Sequence, residues 1–484
     1  MNLELFRTAL HIAAHFALYL AIAMLCPGAA DLYVGNPDWR VFAMTSFIVA
    51  GIALAVILST RGPAPRPSVR LAFLVVNILW LTLSVAGAMP LYFSSLPIDF
   101  IHALFESVSA VTTTGSTVIS GLDELPPGLL LWRSLLQWIG GIGVIALGLF
   151  ILPYLRLGGF SYFRIESSDI EDRPFARFST FSIALVSVYL GLTFLCGFCY
   201  LIGGMSPFDA VNHALTTMAT GGFSTHDASF GFFSSPWLIW TATIFMALAG
   251  LPFTILAVVA FRRQTDAFHD PQIETYLLIL LGLISVCSIW LIVTDQYEPF
   301  DAFTHSAFTF VSIVTTTGYA TEDYSGWGPL GLLLAFTAMW LGGCSGSTAG
   351  GIKTYRFVIL WQAFTNNLKQ LLFQRIVSPI RYGERVVTGD MEKSVALFVA
   401  SYVCIWVLLS VALAASGLDI MTSLTGALTA ISNVGPGLGT LIGPAGNFQS
   451  LNDISLSILM VGMFLGRLEI ATVLMLLMPI FWRR

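Results

Sequence analysis

Val314-Thr315-Thr316-Thr317-Gly318-Tyr319 is the stretch whose reading decides the fold. It follows an amphipathic run from Phe300 to Ile313 and precedes a polar, acidic loop carrying Thr321, Glu322 and Asp323. Val111-Thr112-Thr113-Thr114-Gly115-Ser116 is its sibling. Met218-Ala219-Thr220-Gly221-Gly222-Phe223 and Ser432-Asn433-Val434-Gly435-Pro436 are looser relatives. Glycine permits dihedrals that a side chain forbids. A loop of this kind between apolar segments can therefore turn its carbonyls toward a bare cation. Rings of such carbonyls replace an ion's hydration shell in selective channels. The rest of the chain reads as a scaffold that brings four such loops to one axis.

Working outward, each loop sits in a recurring unit: a long apolar helix, a short segment opened by Asp, the Gly loop, and a second long helix. The first long helices are expected at 71–92, 178–202, 275–293 and 394–415. The short segments open at Asp99, Asp209, Asp301 and Asp419, and the loops centre on Gly115, Gly221, Gly318 and Gly435. The second long helices are expected at 131–152, 237–261, 328–360 and 454–481. Subtracting the glycine positions gives periods of 106, 97 and 117 residues, the size of a module rather than of a solenoid repeat. Further echoes are Asp99–His102, Asp209–His213 and Asp301–His305, with Pro97, Pro207 and Pro299 before three of the Asp residues. Two more helices, at 8–25 and 41–58, precede the repeat without a loop of their own. The expected divisions are an N-terminal helix pair at 1–68 and units at 69–155, 175–263, 272–365 and 392–484.

The short segments cannot span a bilayer. Asp99 to Thr112 is 14 residues, or roughly 21 Å of helix, against a hydrocarbon core of about 30 Å. They read as re-entrant half-helices. An Asp at the start satisfies free N–H groups and suits the positive end of the dipole. The negative end then points to the membrane centre. The second segment reads as a turn shorter, with 12 residues from Asp209 to Gly221 against 16 to 17 elsewhere.

Composition agrees with a chain that lives in lipid. The 484 residues are 56% hydrophobic and 10% charged, with a mean hydropathy of +0.83. Soluble domains carry about 25% charged residues. The net charge of −5 gives no nucleic-acid signal. Cys26, Cys196, Cys199, Cys287, Cys344 and Cys404 all lie in or beside apolar segments, so no disulfide framework is expected. The apolar N-terminal run is read as a retained helix rather than a cleaved signal, because it is long and Glu4 precedes it. Lys and Arg cluster on one side of the spans: Arg61, Arg66 and Arg70; Arg156, Arg164, Arg173 and Arg177; Arg262 and Arg263; Lys369, Arg375, Arg381, Arg385 and Lys393; Arg483 and Arg484. This predicts a multi-pass protein with both termini cytoplasmic and the four loops facing outside. Acidic outer loops would enrich cations at the mouth.

The chain resembles the Trk/Ktr/HKT superfamily of potassium transporters, and within it the bacterial TrkH subunits. The carrying residues are the four loops above, the run Gly342-Gly343-Cys344-Ser345-Gly346-Ser347-Thr348-Ala349-Gly350-Gly351-Ile352-Lys353-Thr354, and Gly466-Arg467-Leu468-Glu469. The resemblance covers essentially the whole chain. It implies an all-α polytopic fold in a bacterial cytoplasmic (inner) membrane, with two N-terminal helices and four helix–pore helix–filter loop–helix repeats in pseudo-fourfold arrangement. It implies potassium as the transported ion, held at Thr113, Thr114, Gly115, Thr220, Gly221, Gly222, Thr316, Thr317, Gly318, Asn433, Val434 and Gly435. Gly at all four filter positions goes with potassium preference. It further implies a homodimer and a cytosolic TrkA-like nucleotide-binding ring as partners, besides membrane lipid. No organic cofactor and no enzymatic activity are expected.

Gly342–Gly351 interrupts an apolar helix, which is tolerated at membrane depth only where buried or lining a cavity. It nearly spells a phosphate-binding loop, but Lys353 is one residue late and no strand precedes it. The resemblance implies instead a gate built from Gly342, Gly343, Ser345, Gly346, Ser347, Gly350 and Gly351. Arg467 lies among apolar residues, where a charge costs about 2.5–3.5 kcal/mol on insertion scales. Two readings stand for it: a structural pair with Glu469 or Glu106, or a charge facing the pore. The rival for the whole chain is a potassium symporter coupled to sodium or protons, which would favour an acid in a broken helix; Gly342–Gly351 contains none.

Overall fold

The computed structural model describes residues 3–63, 65, 68–151, 178–373, 379–383 and 385–482. Arg66, Arg156, Arg164, Arg173, Arg177, Arg375, Arg483 and Arg484, and the expected divisions at 155 and 175, lie outside the described residues. Among those described, seven helical stretches are long and apolar enough to cross a membrane, and two further pairs qualify as bent spans. Large apolar side chains cover the outside, including Phe47, Phe194, Leu278 and Leu408. Apolar residues spread over helix exteriors in this way face lipid.

The first helix, Leu3–Ala23, runs on into Leu25–Val34 as one apolar stretch of 32 residues. It is longer than the expected 8–25. Ala9, Ala13, Ala14, Ala17 and Ala21, with Leu20, are its buried face; small residues let helices approach closely in lipid. Beside it stand Trp39–Ser59 and the first helix of unit one, Val69–Phe93, with Phe73, Leu74 and Trp80 in the shared core. Asp31 anchors the far end by accepting a hydrogen bond from the Gly128 backbone N–H at 2.7 Å.

The four units follow in order. Unit one continues with the short helix Phe100–Val111 and the long helix Pro127–Ile151. Unit two is Phe178–Ile202, Pro207–Met218, Pro236–Ala249 and Phe253–Arg262. Unit three is Pro271–Val293, Pro299–Val314, Gly328–Ala338 and Thr354–Leu372. Unit four is Gly389–Ala415, Ile420–Ser432, Asp453–Arg467 and Ile470–Leu477, with a terminal turn at Pro479–Trp482. A small antiparallel pairing of Arg381–Tyr382 with Arg385–Val386 interrupts the helical pattern between units three and four.

Two second helices expected to be continuous are broken. In unit two the axis turns by 98° across Gly250-Leu251-Pro252. Pro252 has no N–H to give and cannot continue a helix past its i−4 carbonyl. The freed groups bond to unit three: Cys344 N–H donates to the Gly250 carbonyl at 2.9 Å, and Phe253 N–H donates to the Gly346 carbonyl at 3.0 Å. In unit four the axis turns by 113° at Leu468-Glu469, where Glu469 has φ +62°. The break of unit three falls where the sequence places it.

The starts of the short helices divide into two kinds. Asp99 and Asp419 are true caps, accepting from His102 N–H at 2.9 Å and Thr422 N–H at 3.1 Å. In unit two the cap is Ser206, which accepts from Asp209 N–H at 3.1 Å, and Asp209 lies in the first turn. In unit three Glu298 occupies the cap position without a side-chain bond, and Asp301 lies in the first turn. All four still set a negative charge at the positive end of the helix dipole. Asp419→Ala is expected to lower stability by about 1 kcal/mol, the usual worth of a cap. The side-chain and backbone bonds from Thr422 hold the Asp419 carboxyl below its ordinary value of 3.8. A depressed carboxylate stabilises above its unfolded pKa, so the difference between parent and variant melting should shrink as pH falls through the acid range.

Candidate functional site: four glycine loops and the segment beneath them

The four loops close into a ring. A Cβ built on Gly115 would collide with the carbonyl oxygen of Gly221, one on Gly222 with that of Thr317, and one on Gly318 with that of Val434. The circle is completed by Gly435, whose Cβ would stand 2.9 Å from the Thr114 carbonyl oxygen. Each glycine thus touches the next unit's carbonyl, in the order one, two, three, four and back to one. All four have positive φ, at +87°, +74°, +82° and +111°. Two residues earlier, Thr113, Thr220, Thr316 and Asn433 also sit in the left-handed region, at +53°, +50°, +57° and +57°. Such strain in non-glycine residues persists only where the surroundings impose it.

This equivalence corrects the register of the second loop. Gly222, not Gly221, matches Gly115, Gly318 and Gly435, and the carbonyls at the ring belong to Thr114, Gly221, Thr317 and Val434. Thr220 stands one position back. The apparent shortness of the second segment disappears with the correction. From the cap position to the ring glycine the separation is 16 residues in units one, two and four (99 to 115, 206 to 222, 419 to 435) and 20 in unit three (298 to 318). Unit three is therefore the long one, by about one turn.

The loops are braced by buried side chains. In loop one the hydroxyls of Thr112 and Thr114 bond at 2.8 Å, and in loop three those of Thr315 and Thr317 bond at 2.9 Å. Loop four is tied by Asn433 Nδ2, which donates to Thr114 Oγ1 at 2.9 Å and to the Met463 carbonyl at 3.0 Å. Ser116 Oγ donates to the Gly435 carbonyl at 2.8 Å. Behind loops one and two stands a buried ion pair, Arg133 Nε to Glu106 Oε1 at 2.7 Å. Arg133 also donates to the Ser224 carbonyl at 3.1 Å and lies over the Phe223 ring. Glu106 accepts from Val118 N–H at 2.9 Å.

The interrupted segment of unit three packs directly against these loops. The single proton of Thr348 Oγ1 is shared between the carbonyls of Met218 at 3.2 Å and Ala249 at 3.3 Å. Gly350 N–H donates to Thr316 Oγ1 at 2.6 Å, and a Cβ on Gly350 would collide with the Ser432 carbonyl. The segment's own ends meet through Gly342 N–H to the Ile352 carbonyl at 3.0 Å. Gly343, Ser345 and Ser347 fold between them: Ser347 Oγ donates to the Cys344 carbonyl at 2.7 Å, and Ser345 N–H to Gln272 Oε1 at 2.9 Å. The Lys353 ammonium donates to the Ala349 carbonyl. A cavity opens beside Gly346, Gly350, Gly351, Lys353, Arg467 and Glu469.

Arg467 is only 7% exposed and donates from Nη1 to the Thr348 carbonyl at 2.9 Å. Its Nε and Nη2 have no partner among the described residues. Neither acid offered by the sequence pairs with it. Glu106 belongs to Arg133, and Glu469 binds Arg356 at 2.8 Å. The histidines do not converge. His102 bonds to Asp99, His213 to Ser224, and His305 to Thr321. His213 lies nine residues before Gly222, as Glu106 lies nine before Gly115, so it fills the acid's place in unit two. All six cysteines are free. The Arg133–Glu106 and Arg356–Glu469 pairs were missed in the sequence. The available signal was charge inside apolar helices, which is costly and therefore placed for a purpose.

Comparison with known proteins agrees with this architecture. The family model described as "TrkH: Cation transport protein" matches residues 41–482. The Trk system potassium uptake protein TrkI of Halomonas elongata is 40% identical over 98% of this chain and 96% of its own length. The TrkH of Vibrio parahaemolyticus is 36% identical over 99% of both chains. The crystal structure of the potassium transporter TrkH from Vibrio parahaemolyticus superposes with a TM-score of 0.92, at 34% identity and complete coverage of both chains. With its lipid-facing surface, its repeated units and these matches, the chain is an integral membrane protein of the TrkH family of cation transport proteins.

Proposed function

We propose that the chain carries potassium into the cell as the membrane subunit of a Trk system. The observation that carries this reading is the closed ring, in which each of four glycines abuts the next unit's carbonyl. Potassium sheds water there, between the backbone of Thr113–Gly115, Thr220–Gly222, Thr316–Gly318 and Asn433–Gly435. The negative ends of the four short helices favour a cation at that depth. The segment Gly342–Gly351 lies across the path and acts as the gate. Arg467, with two nitrogens unpartnered among the described residues, supplies a positive charge beside the segment that shortens the dwell of the ion. The membrane potential drives the movement, at about 2.3 kcal/mol per charge per 100 mV. In this reading the protein works as a homodimer in the bacterial inner membrane, and a cytosolic TrkA-like nucleotide-binding ring sets the gate.

The test is rubidium-tracer uptake into proteoliposomes under an imposed potential, with the ring protein present. Uptake blocked by potassium and not by sodium is the expected result. Gly350→Ala is expected to raise uptake without the ring protein about tenfold. A methyl group there meets the Ser432 backbone, and overpacking of about 1–3 kcal/mol would displace the segment. Flux that strictly requires a sodium or proton gradient would sink this mechanism in favour of the symporter. A Gly350→Ala protein no leakier than its parent would remove the gate from the reading.

A further inference from the structure

Gln137 lies within the unit-one helix Pro127–Ile151 and is fully buried. Its amide reaches out of its own unit. Nε2 donates to the Gly221 carbonyl at 2.6 Å, and Oε1 accepts from Phe223 N–H at 3.1 Å. The two bonds straddle the ring glycine Gly222. In loops one and three the same stretch is braced from within, by hydroxyl pairs three and one residues before the glycine. Loop two has Ala219 and Gly221 at those positions, and neither has a hydroxyl. The three atoms nearest to a Cβ built on Gly221 all belong to the Gln137 amide. Gly221 does not have positive φ, so its missing side chain answers to space and not to dihedral strain. A polar side chain in a membrane span is costly unless its groups are used, and here both ends of the amide are.

We infer that Gln137 is a positioning residue for ion selection, which holds the Gly221 carbonyl at its place in the ring where loop two lacks the hydroxyl brace. The inference rests on the ring being the filter. Gln137 touches no ion in this account; it acts through the Gly221 carbonyl.

The experiment compares four purified proteins in the proteoliposome assay: parent, Gln137→Met, the triple variant Gln137→Ala/Ala219→Thr/Gly221→Thr, and Gly318→Ser. The readout is the ratio of sodium to potassium concentrations that halve rubidium uptake, alongside the uninhibited rate. Gln137→Met keeps the volume and removes both bonds. Its ratio should fall about fivefold, the worth of a buried hydrogen bond. The triple variant rebuilds the hydroxyl pair in the vacated space and should recover most of the ratio, which a merely packing role would not. A Gln137→Met protein with the parent ratio overturns the inference, and so does a folded triple variant that stays unselective. If Gln137→Met does not fold, the triple variant alone decides in the same sense. If Gly318→Ser keeps the parent ratio, the filter reading itself has failed; if only Gly318→Ser loses it, this inference alone has failed.

Discussion

Replacing Gly318 with Ser is expected to cut the preference for potassium over sodium at least about tenfold, a loss of roughly 1.4 kcal/mol in relative binding. The reasoning starts from two separate constraints. Gly318 has φ +82°, where an L side chain costs about 1–2 kcal/mol. Its Cβ would also collide with the Val434 carbonyl oxygen and come within 3.0 Å of Pro436 Cδ. Neither contact can yield cheaply, because one is backbone and the other a closed ring. The Val434 carbonyl must therefore move, and it is one of the four at the ring. The hydroxyl of Ser adds a second oxygen that is not part of the set. Under the proposed filter role, a ring with one displaced member no longer matches an ion's hydration shell, so smaller and larger ions are told apart less well. Gly326→Ser is the control, since a Cβ there has nothing within 4 Å. The check is the sodium-to-potassium inhibition ratio in rubidium uptake. Unchanged discrimination in the Gly318→Ser protein would mean that ions are selected elsewhere. Among the four glycines, Gly435 has the loosest contact, 2.9 Å to the Thr114 carbonyl, so the same change there should be the mildest.

How much of this was legible depended on where the sequence repeats itself. Thr-Thr-Thr-Gly occurs twice, at Thr112–Gly115 and Thr315–Gly318, and those loops fell in register at once. The second loop offers Gly221 and Gly222 side by side, and glycine alone could not choose between them. Thr220 could have: the strained residue two before each ring glycine is Thr113, Thr220, Thr316 or Asn433. Gly221 is glycine for another reason, the amide of Gln137, which belongs to a helix 84 residues earlier. No local pattern announces a contact of that range. The unit-two break is written in Gly250-Leu251-Pro252, but the apolar run on either side masks it. The unit-four break has no proline, only Gly466 two residues before it. There Glu469 takes φ +62° and pairs with Arg356, 113 residues away, a tertiary contact that no local pattern shows. The interrupted segment of unit three was visible because glycine and serine are dense there. Its carbonyl and hydroxyl partners, Met218, Thr316 and Ser432, come from three different units and could not be read along the chain.

The second large effect is expected at Arg133, and it is one of stability. Arg133 is 1% exposed and Glu106 is 0% exposed. Arg133→Met leaves the Glu106 carboxylate without its counter-charge in a site that water does not reach. Breaking a buried pair from one side costs about 3–5 kcal/mol, because the remaining charge is uncompensated. The expected result is a large drop in the thermal unfolding midpoint of the detergent-purified protein. Midpoints are compared at one scan rate, since membrane proteins of this size rarely unfold reversibly. The double variant Arg133→Met/Glu106→Gln separates the causes. Gln keeps the shape and can still accept from Val118 N–H, while no charge is left stranded. Replacing both members of a buried pair is often close to neutral, so the double variant should regain most of the midpoint. It should not regain all of it. Arg133 also donates to the Ser224 carbonyl at 3.1 Å and to Thr117 Oγ1 at 3.2 Å, and its guanidinium lies 4.2 Å from the Phe223 ring centroid. Those contacts join loops one and two, and the double variant has none of them. A double variant as unstable as the single would show that these ties, and not the stranded charge, hold the first two units together.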